Sequence, residues 1–103
     1  MYLIKIYDKT CYHCEVMAQW DEGIAIENDL SFYKLELDRV MDDAPHIAAY
    51  VHPIYVEPYD GQITVPIYIL ESEDGDIQAS GQCITDNELR SMIAGFREWQ
   101  KSL

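Results

Sequence analysis

Two cysteines with two residues between them are the part of this sequence best suited to chemistry. Cys11 and Cys14 enclose Tyr12 and His13 in a C-x-x-C pattern. The pair lies between an apolar run over residues 2–7, typical of a strand, and apolar positions at helical spacing that follow it. The pattern therefore predicts both thiols at the N-terminus of a helix, where free N–H groups and a partial positive charge stabilise a thiolate.

This placement predicts thiol–disulfide exchange. The Cys11 thiolate would attack a substrate disulfide. Cys14, one turn further into the helix and less exposed, would resolve the mixed disulfide and leave an intramolecular disulfide. A protonated His13 would tune the pair by favouring the Cys11 thiolate and making the disulfide more oxidising. Tyr12 would shape a substrate groove. The alternative for both His13 and Tyr12 is an ordinary exposed side chain.

A structural zinc site is the main competing hypothesis for the pair. Zinc normally needs four ligands, often as two closely spaced pairs. The other candidates, Cys83, His46 and His52, are isolated in the sequence, so we expect no metal. A purely structural or inert pair is a further alternative. We expect Cys83 to be buried and inert, because a free cysteine behaves as a small hydrophobe, with a regulatory thiol as the alternative.

The elements that must position the cysteines follow from the apolar spacing. After the first strand, a helix is predicted from residue 11 to residue 27 or 28. Alternation over residues 33–38 predicts a second strand with one buried face. Asp42 or Asp43 would cap a second helix, with Pro45 in its first turn and its end before Pro53.

The second half of the chain predicts a loop, a hairpin and a last helix. Residues 53–62 are rich in turn formers and are expected to form a long loop. Residues 67–70 are typical of a central strand, and a turn over residues 73–76 leads into a strand at residues 77–79. Thr85 and Glu88 form a capping box at the start of the last helix.

The order of elements is therefore β-α-β-α-β-β-α. Strand–helix–strand units favour parallel pairing with a right-handed crossover, and the hairpin adds antiparallel strands. We predict a single α/β domain over residues 1–103, with a four-stranded mixed sheet flanked by three helices.

Composition excludes several classes of function. The net charge is −12, with 19 acidic residues against seven basic ones, and such a surface repels nucleic acid. We find no signal-peptide pattern and no apolar stretch of membrane-spanning length. Three cysteines are too few for a disulfide scaffold. We expect a cytoplasmic monomer that binds neither nucleic acid nor membrane.

The sequence resembles the thioredoxin superfamily. A C-x-x-C after the first strand is followed, fifty residues beyond Cys14, by Thr64-Val65-Pro66 at the start of a central strand. This element order is similar to that of thioredoxins and glutaredoxins over nearly the whole chain. The resemblance implies that Pro66 is cis and packs beside the redox cysteines. It also implies that Thr64, Val65 and Pro66 border the substrate, with the backbone of Val65 pairing with an extended substrate segment.

The sequence shares features with both the thioredoxin and the glutaredoxin branch and matches neither fully. Thr64-Val65-Pro66 is similar to the glutaredoxin version of the proline motif, but the Gly-Gly-acid segment that holds glutathione there is missing. Thr10 replaces the tryptophan that precedes the first cysteine of thioredoxins. Lys5 stands about where thioredoxins carry a buried acid, so the proton acceptor for Cys14 is not identified. Short acidic hybrids of this kind occur among phage-encoded thioredoxins and glutaredoxins, whose usual client is a ribonucleotide reductase.

The resemblance implies a protein-disulfide oxidoreductase that acts as a dithiol electron donor, with the redox-active disulfide in place of a bound cofactor. Its electrons would come from a thioredoxin reductase or from glutathione. Two alternatives are a glutathione-dependent glutaredoxin and a thioredoxin-like binding module that docks onto a larger protein. Tyr55 and Tyr59 in the predicted loop would help to choose the protein client, with coverage of the core edge as the alternative.

Overall fold

The sheet has four strands in the order β2-β1-β3-β4. A computed structural model describes residues 1–102. β1 is parallel to β2 and antiparallel to β3, and β3 is antiparallel to β4, so the predicted mixed sheet is confirmed. The strands are β1 (Tyr2–Tyr7), β2 (Ser31–Glu36), β3 (Ile67–Glu71) and β4 (Ile77–Gln82).

Helices cover both faces of the sheet. They are α1 (Tyr12–Met17), α2 (Asp21–Glu27), α3 (Val40–Asp43), α4 (Pro45–Val51) and α5 (Asp86–Lys101). Three short segments add 3₁₀ turns at Leu37–Arg39 and Glu57–Tyr59 and a π-helical turn at His52–Val56. None of the helices formed within residues 1–102 is long and apolar enough to cross a membrane.

The prediction of three helices is wrong because the first two predicted helices are each interrupted. The first breaks into α1 and α2 at a turn over residues 18–20, where the Trp20 N–H bonds to the Met17 carbonyl. Two short helices and one continuous helix bury the same apolar positions, so the spacing did not reveal the break. The turn places Asp21 at the start of α2, where its side chain is buried.

The second predicted helix begins and ends differently from the prediction. Asp42 and Asp43 lie inside α3 instead of capping a helix, and Ala44, which has non-helical backbone angles before Pro45, separates α3 from α4. A residue before proline avoids the helical region, which explains this break. Pro45 does occupy the first turn of α4.

The predicted loop over residues 53–62 is wrong over most of its length, because the chain stays helical through Tyr59. The Glu57 N–H reaches the His52 carbonyl across a wide π turn that includes Pro53. The Tyr55 hydroxyl lies 2.8 Å from Ser80 Oγ on β4, and its ring packs on the core. Tyr59, in contrast, is 59% exposed.

Two apolar layers sandwich the sheet because alternate residues of β1 face opposite sides. Leu3 packs with residues of α1, α2 and α5, whereas Ile4 and Ile6 pack with α3 and α4. β1 is therefore buried on both faces, and so is Lys5, which is only 3% exposed. A charged side chain in this position requires partners inside the protein.

The packing of the 52–59 segment predicts unequal effects of two matched tyrosine truncations. Tyr55→Ala should lower the free energy of unfolding by about 2 kcal/mol, since it removes a packed ring and a hydrogen bond. Tyr59→Ala should change it by less than about 0.5 kcal/mol, as expected for an exposed residue. Urea denaturation measures both values, and equal losses would contradict the packing assigned to Tyr55.

Candidate active site

The thiol of Cys11 caps the N-terminus of α1. Cys11 has extended backbone angles, and its Sγ accepts a hydrogen bond from the Cys14 N–H at 3.2 Å. A serine, threonine or aspartate oxygen usually fills this role, because the first N–H groups of a helix have no partner within the helix. In the turn between β1 and α1, the Asp8 carboxylate accepts hydrogen bonds from the N–H and the hydroxyl of Thr10. These two bonds shape the turn that precedes Cys11.

The two thiols of the C-x-x-C lie in different environments. Cys11 is half-buried, whereas Cys14 is only 4% exposed. Burial raises the pKa of the Cys14 thiol to about 12, and the hydrogen bond with Cys11 adds to the effect. Both cysteines are free thiols in this structure. The asymmetry favours Cys11 as the attacking sulfur and Cys14 as the one that reacts second.

The Thr64-Val65-Pro66 segment lies beside the cysteines, although it is far from them in sequence. The Cys11 thiol donates to the Val65 carbonyl at 3.3 Å. The peptide bond between Val65 and Pro66 is cis, and Pro66 is buried at the start of β3. The Thr64 carbonyl accepts from the side-chain amide of Gln82, which ties the segment to the end of β4.

Tyr12 and His13 lie on the exposed side of α1. Tyr12 is 72% exposed, and its ring meets the His13 ring edge-on with centroids 5.5 Å apart. Cys83 is buried against α5, where burial raises the pKa of its thiol to about 11. Cys83 thus packs as a small apolar side chain.

The sequence did not predict a buried network of polar side chains that lies beneath Cys14. The Lys5 ammonium lies 2.6 Å from Asp21 Oδ2 and donates to the Cys14 carbonyl at 2.8 Å. Tyr68 on β3 donates its hydroxyl to the same Asp21 oxygen at 2.9 Å. Burial and the neighbouring Asp21 raise the pKa of Tyr68. The only sequence signal was a lysine inside the apolar first strand, and it could not reveal which acid is its partner.

A cleft of about 520 Å³ leads from the surface to this network. It runs between α1 and the edge strand β2, and Lys5, Cys14 and Asp21 are among its lining residues. Cys14 lines this cleft, whereas Cys11 does not.

The other candidate metal ligands do not join the cysteines. In the part of the chain that the structure describes, no three His, Cys, Asp or Glu side chains lie together as they would to hold a metal ion. His46 instead pairs with Glu71 on β3, at 2.7 Å.

Comparison with known proteins identifies the fold. No protein-family model matches the sequence, and no curated protein matches it in sequence. Among solved structures, the chain is similar to thioredoxin 1 from the thermophilic eubacterium Thermosipho africanus TCF52B, with a TM-score of 0.65 and 16% sequence identity. The match covers 98% of this chain and 99% of that one. The chain therefore has a thioredoxin-like fold, as the resemblance in sequence implied.

The unequal environments predict unequal thiol reactivity. In a Cys83→Ala background, Cys14→Ser leaves only the Cys11 thiol and Cys11→Ser leaves only the Cys14 thiol. At pH 8, iodoacetamide should alkylate Cys11 more than about tenfold faster, because the raised pKa keeps Cys14 protonated and burial hinders access. Mass spectrometry follows both reactions. Equal rates, or faster alkylation of Cys14, would show that the assignment of roles is wrong.

Proposed function

We propose that the protein is a thiol–disulfide oxidoreductase that reduces protein disulfides through Cys11 and Cys14. The observation that carries the proposal is the position of the Cys11 sulfur, which meets both the Cys14 N–H and the Val65 carbonyl. The N–H donor supports a thiolate, and the carbonyl belongs to a segment that can pair with an extended substrate.

The first step is attack by the Cys11 thiolate on one sulfur of the substrate disulfide. A new S–S bond joins Cys11 to the substrate, and the original S–S bond breaks. The second substrate sulfur leaves with the bonding electrons and takes up a proton. The half-exposed position of Cys11 supports this role.

The second step is resolution by Cys14. Its thiol loses a proton, and the thiolate attacks Cys11 Sγ. The bond between Cys11 and the substrate breaks, and the substrate leaves as a thiol. The substrate is then reduced by two electrons, and the protein carries a Cys11–Cys14 disulfide. A dithiol protein reductase, or two molecules of glutathione, would return the two electrons.

The surface around Cys11 supports a protein substrate. Tyr12 is strongly exposed beside the thiol and offers an aromatic contact. Val65 offers a backbone carbonyl for an extended chain. Tyr55 is fixed by Ser80, so within the 52–59 segment the exposed ring of Tyr59 is the better candidate for client contact. His13, exposed next to the pair, would favour the Cys11 thiolate when protonated.

Insulin reduction with two electron sources tests this proposal. We expect turnover with a thioredoxin reductase and NADPH, and much slower turnover with glutathione and glutathione reductase, because the Gly-Gly-acid segment that holds glutathione is missing. Cys83→Ser should keep full activity, since that thiol is buried away from the pair. Cys11→Ser should abolish it.

Three outcomes would change the proposal. Efficient turnover with glutathione alone would favour a glutaredoxin. Activity that survives loss of both Cys11 and Cys14 would exclude dithiol chemistry. No insulin reduction by the unaltered protein, with either source or with dithiothreitol, would favour a binding module.

A further inference from the structure

The buried lysine of β1 lies directly against the turn of helix that carries Cys14. Lys5 Nζ donates to the Cys14 carbonyl and to Asp21 Oδ2, at 2.8 and 2.6 Å. The Lys5 side chain is 3% exposed, so water screens its charge only weakly. A cation in this position acts on whatever charge develops at Cys14.

Asp21 is fully engaged as an anion. Its Oδ2 accepts from both Lys5 and Tyr68, and its Oδ1 accepts from the Glu22 N–H at 2.7 Å. Three donors, one of them charged, satisfy both carboxylate oxygens. A proton from Cys14 would have to compete with these three donors for the Asp21 oxygens. Asp21 holds the Lys5 ammonium in place beside Cys14.

The resolving step needs help because Cys14 is buried. Burial opposes formation of its thiolate and raises its pKa, whereas the Lys5 charge acts in the opposite direction. A positive charge next to a buried thiol favours the thiolate more strongly than it would in water.

We propose that Lys5 is a positioning residue for the resolving step, an inference that rests on the proposed function. It holds the Cys14 backbone against β1 and stabilises the Cys14 thiolate electrostatically, while Asp21 anchors Lys5 and takes no proton.

The proton from Cys14 leaves through water in the cleft. The Cys14 S–H bond breaks, the thiolate attacks Cys11 Sγ, and the bond between Cys11 and the substrate breaks. The departing substrate sulfur takes up a proton from solvent, so protons and electrons balance. The cleft reaches Cys14, and its other charged side chains are Asp8, Lys9, Glu15, Glu22 and Lys34.

Ellman's reagent separates the two steps in the Cys83→Ala protein. Attack by Cys11 releases one thionitrobenzoate, and resolution by Cys14 releases a second, so stopped-flow absorbance reports both rates. Lys5→Met should slow the second release by about threefold, because a Cys14 pKa about one unit higher leaves about tenfold less thiolate, and the greater nucleophilicity of that thiolate offsets about half of this loss on a logarithmic scale. It should leave the first release within about twofold, because the cation lies beneath Cys14.

A paired variant removes the cation without leaving an unpaired buried charge. Lys5→Met leaves Asp21 buried and alone, which threatens folding. The double variant Lys5→Met with Asp21→Asn leaves neither charge, and circular dichroism verifies that it folds. Its second release should be slowed as much as that of Lys5→Met. A second release at the parent rate in the double variant would overturn the proposal.

Alkylation of Cys14 distinguishes an electrostatic effect from loosened structure. In a Cys11→Ser, Cys83→Ala background, adding the Lys5→Met/Asp21→Asn pair should slow alkylation by about threefold. A merely structural role for Lys5 predicts the opposite, because a loosened fold would expose Cys14 and speed the reaction. Faster alkylation would therefore overturn the proposal.

Tyr68→Phe tests whether Asp21 takes the proton. The variant removes one donor from Asp21 Oδ2 and makes the carboxylate a better proton acceptor. The second release should stay within about twofold of the parent rate, whereas marked acceleration would overturn the proposal. Loss of the first release in the parent protein would instead contradict the proposed function, and the alkylation of Cys14 would still decide the effect of Lys5.

Discussion

The ion pair between Lys5 and Asp21 is the interaction on which the arrangement of the site depends. It joins β1 to the start of α2, while the bond from Lys5 to the Cys14 carbonyl joins β1 to α1. Tyr68 adds β3 to the same network. Loss of one partner from a buried pair typically costs about 3–5 kcal/mol, because the remaining charge is left uncompensated.

Two thiols one helical turn apart acquire different chemistry from this arrangement. Cys11 lies outside the first turn of α1, where its sulfur accepts an N–H bond and faces the Val65 carbonyl. Cys14 lies inside the turn, where burial raises its pKa. Thiol–disulfide exchange through a cysteine pair uses one accessible thiol to attack the substrate and a second thiol to resolve the mixed disulfide. The thioredoxin-like fold supplies the scaffold, and under the proposed function the local environments would decide which thiol attacks.

Local sequence signals predicted single elements better than they predicted the contacts that join those elements. The capping box of Thr85 and Glu88 forms as expected, because its bonds join residues three apart. β1 forms as predicted because its apolar run is buried on both faces. The pairing of Lys5 with Asp21 was not predictable, since the two residues are sixteen positions apart and lie on different elements. The helical path beyond Pro53 was missed because a wide π turn accommodates a residue that usually ends a helix.

Trapping of a mixed disulfide tests the assignment of Cys11 and Cys14 most directly. Reduced Cys14→Ser and Cys11→Ser proteins, both in a Cys83→Ala background, are incubated with a disulfide-bonded protein and analysed by non-reducing electrophoresis and mass spectrometry. The account predicts that Cys14→Ser accumulates a covalent complex through Cys11 that dithiothreitol releases, and that Cys11→Ser forms none. A complex formed through Cys14 in the Cys11→Ser protein, with none in Cys14→Ser, would contradict it.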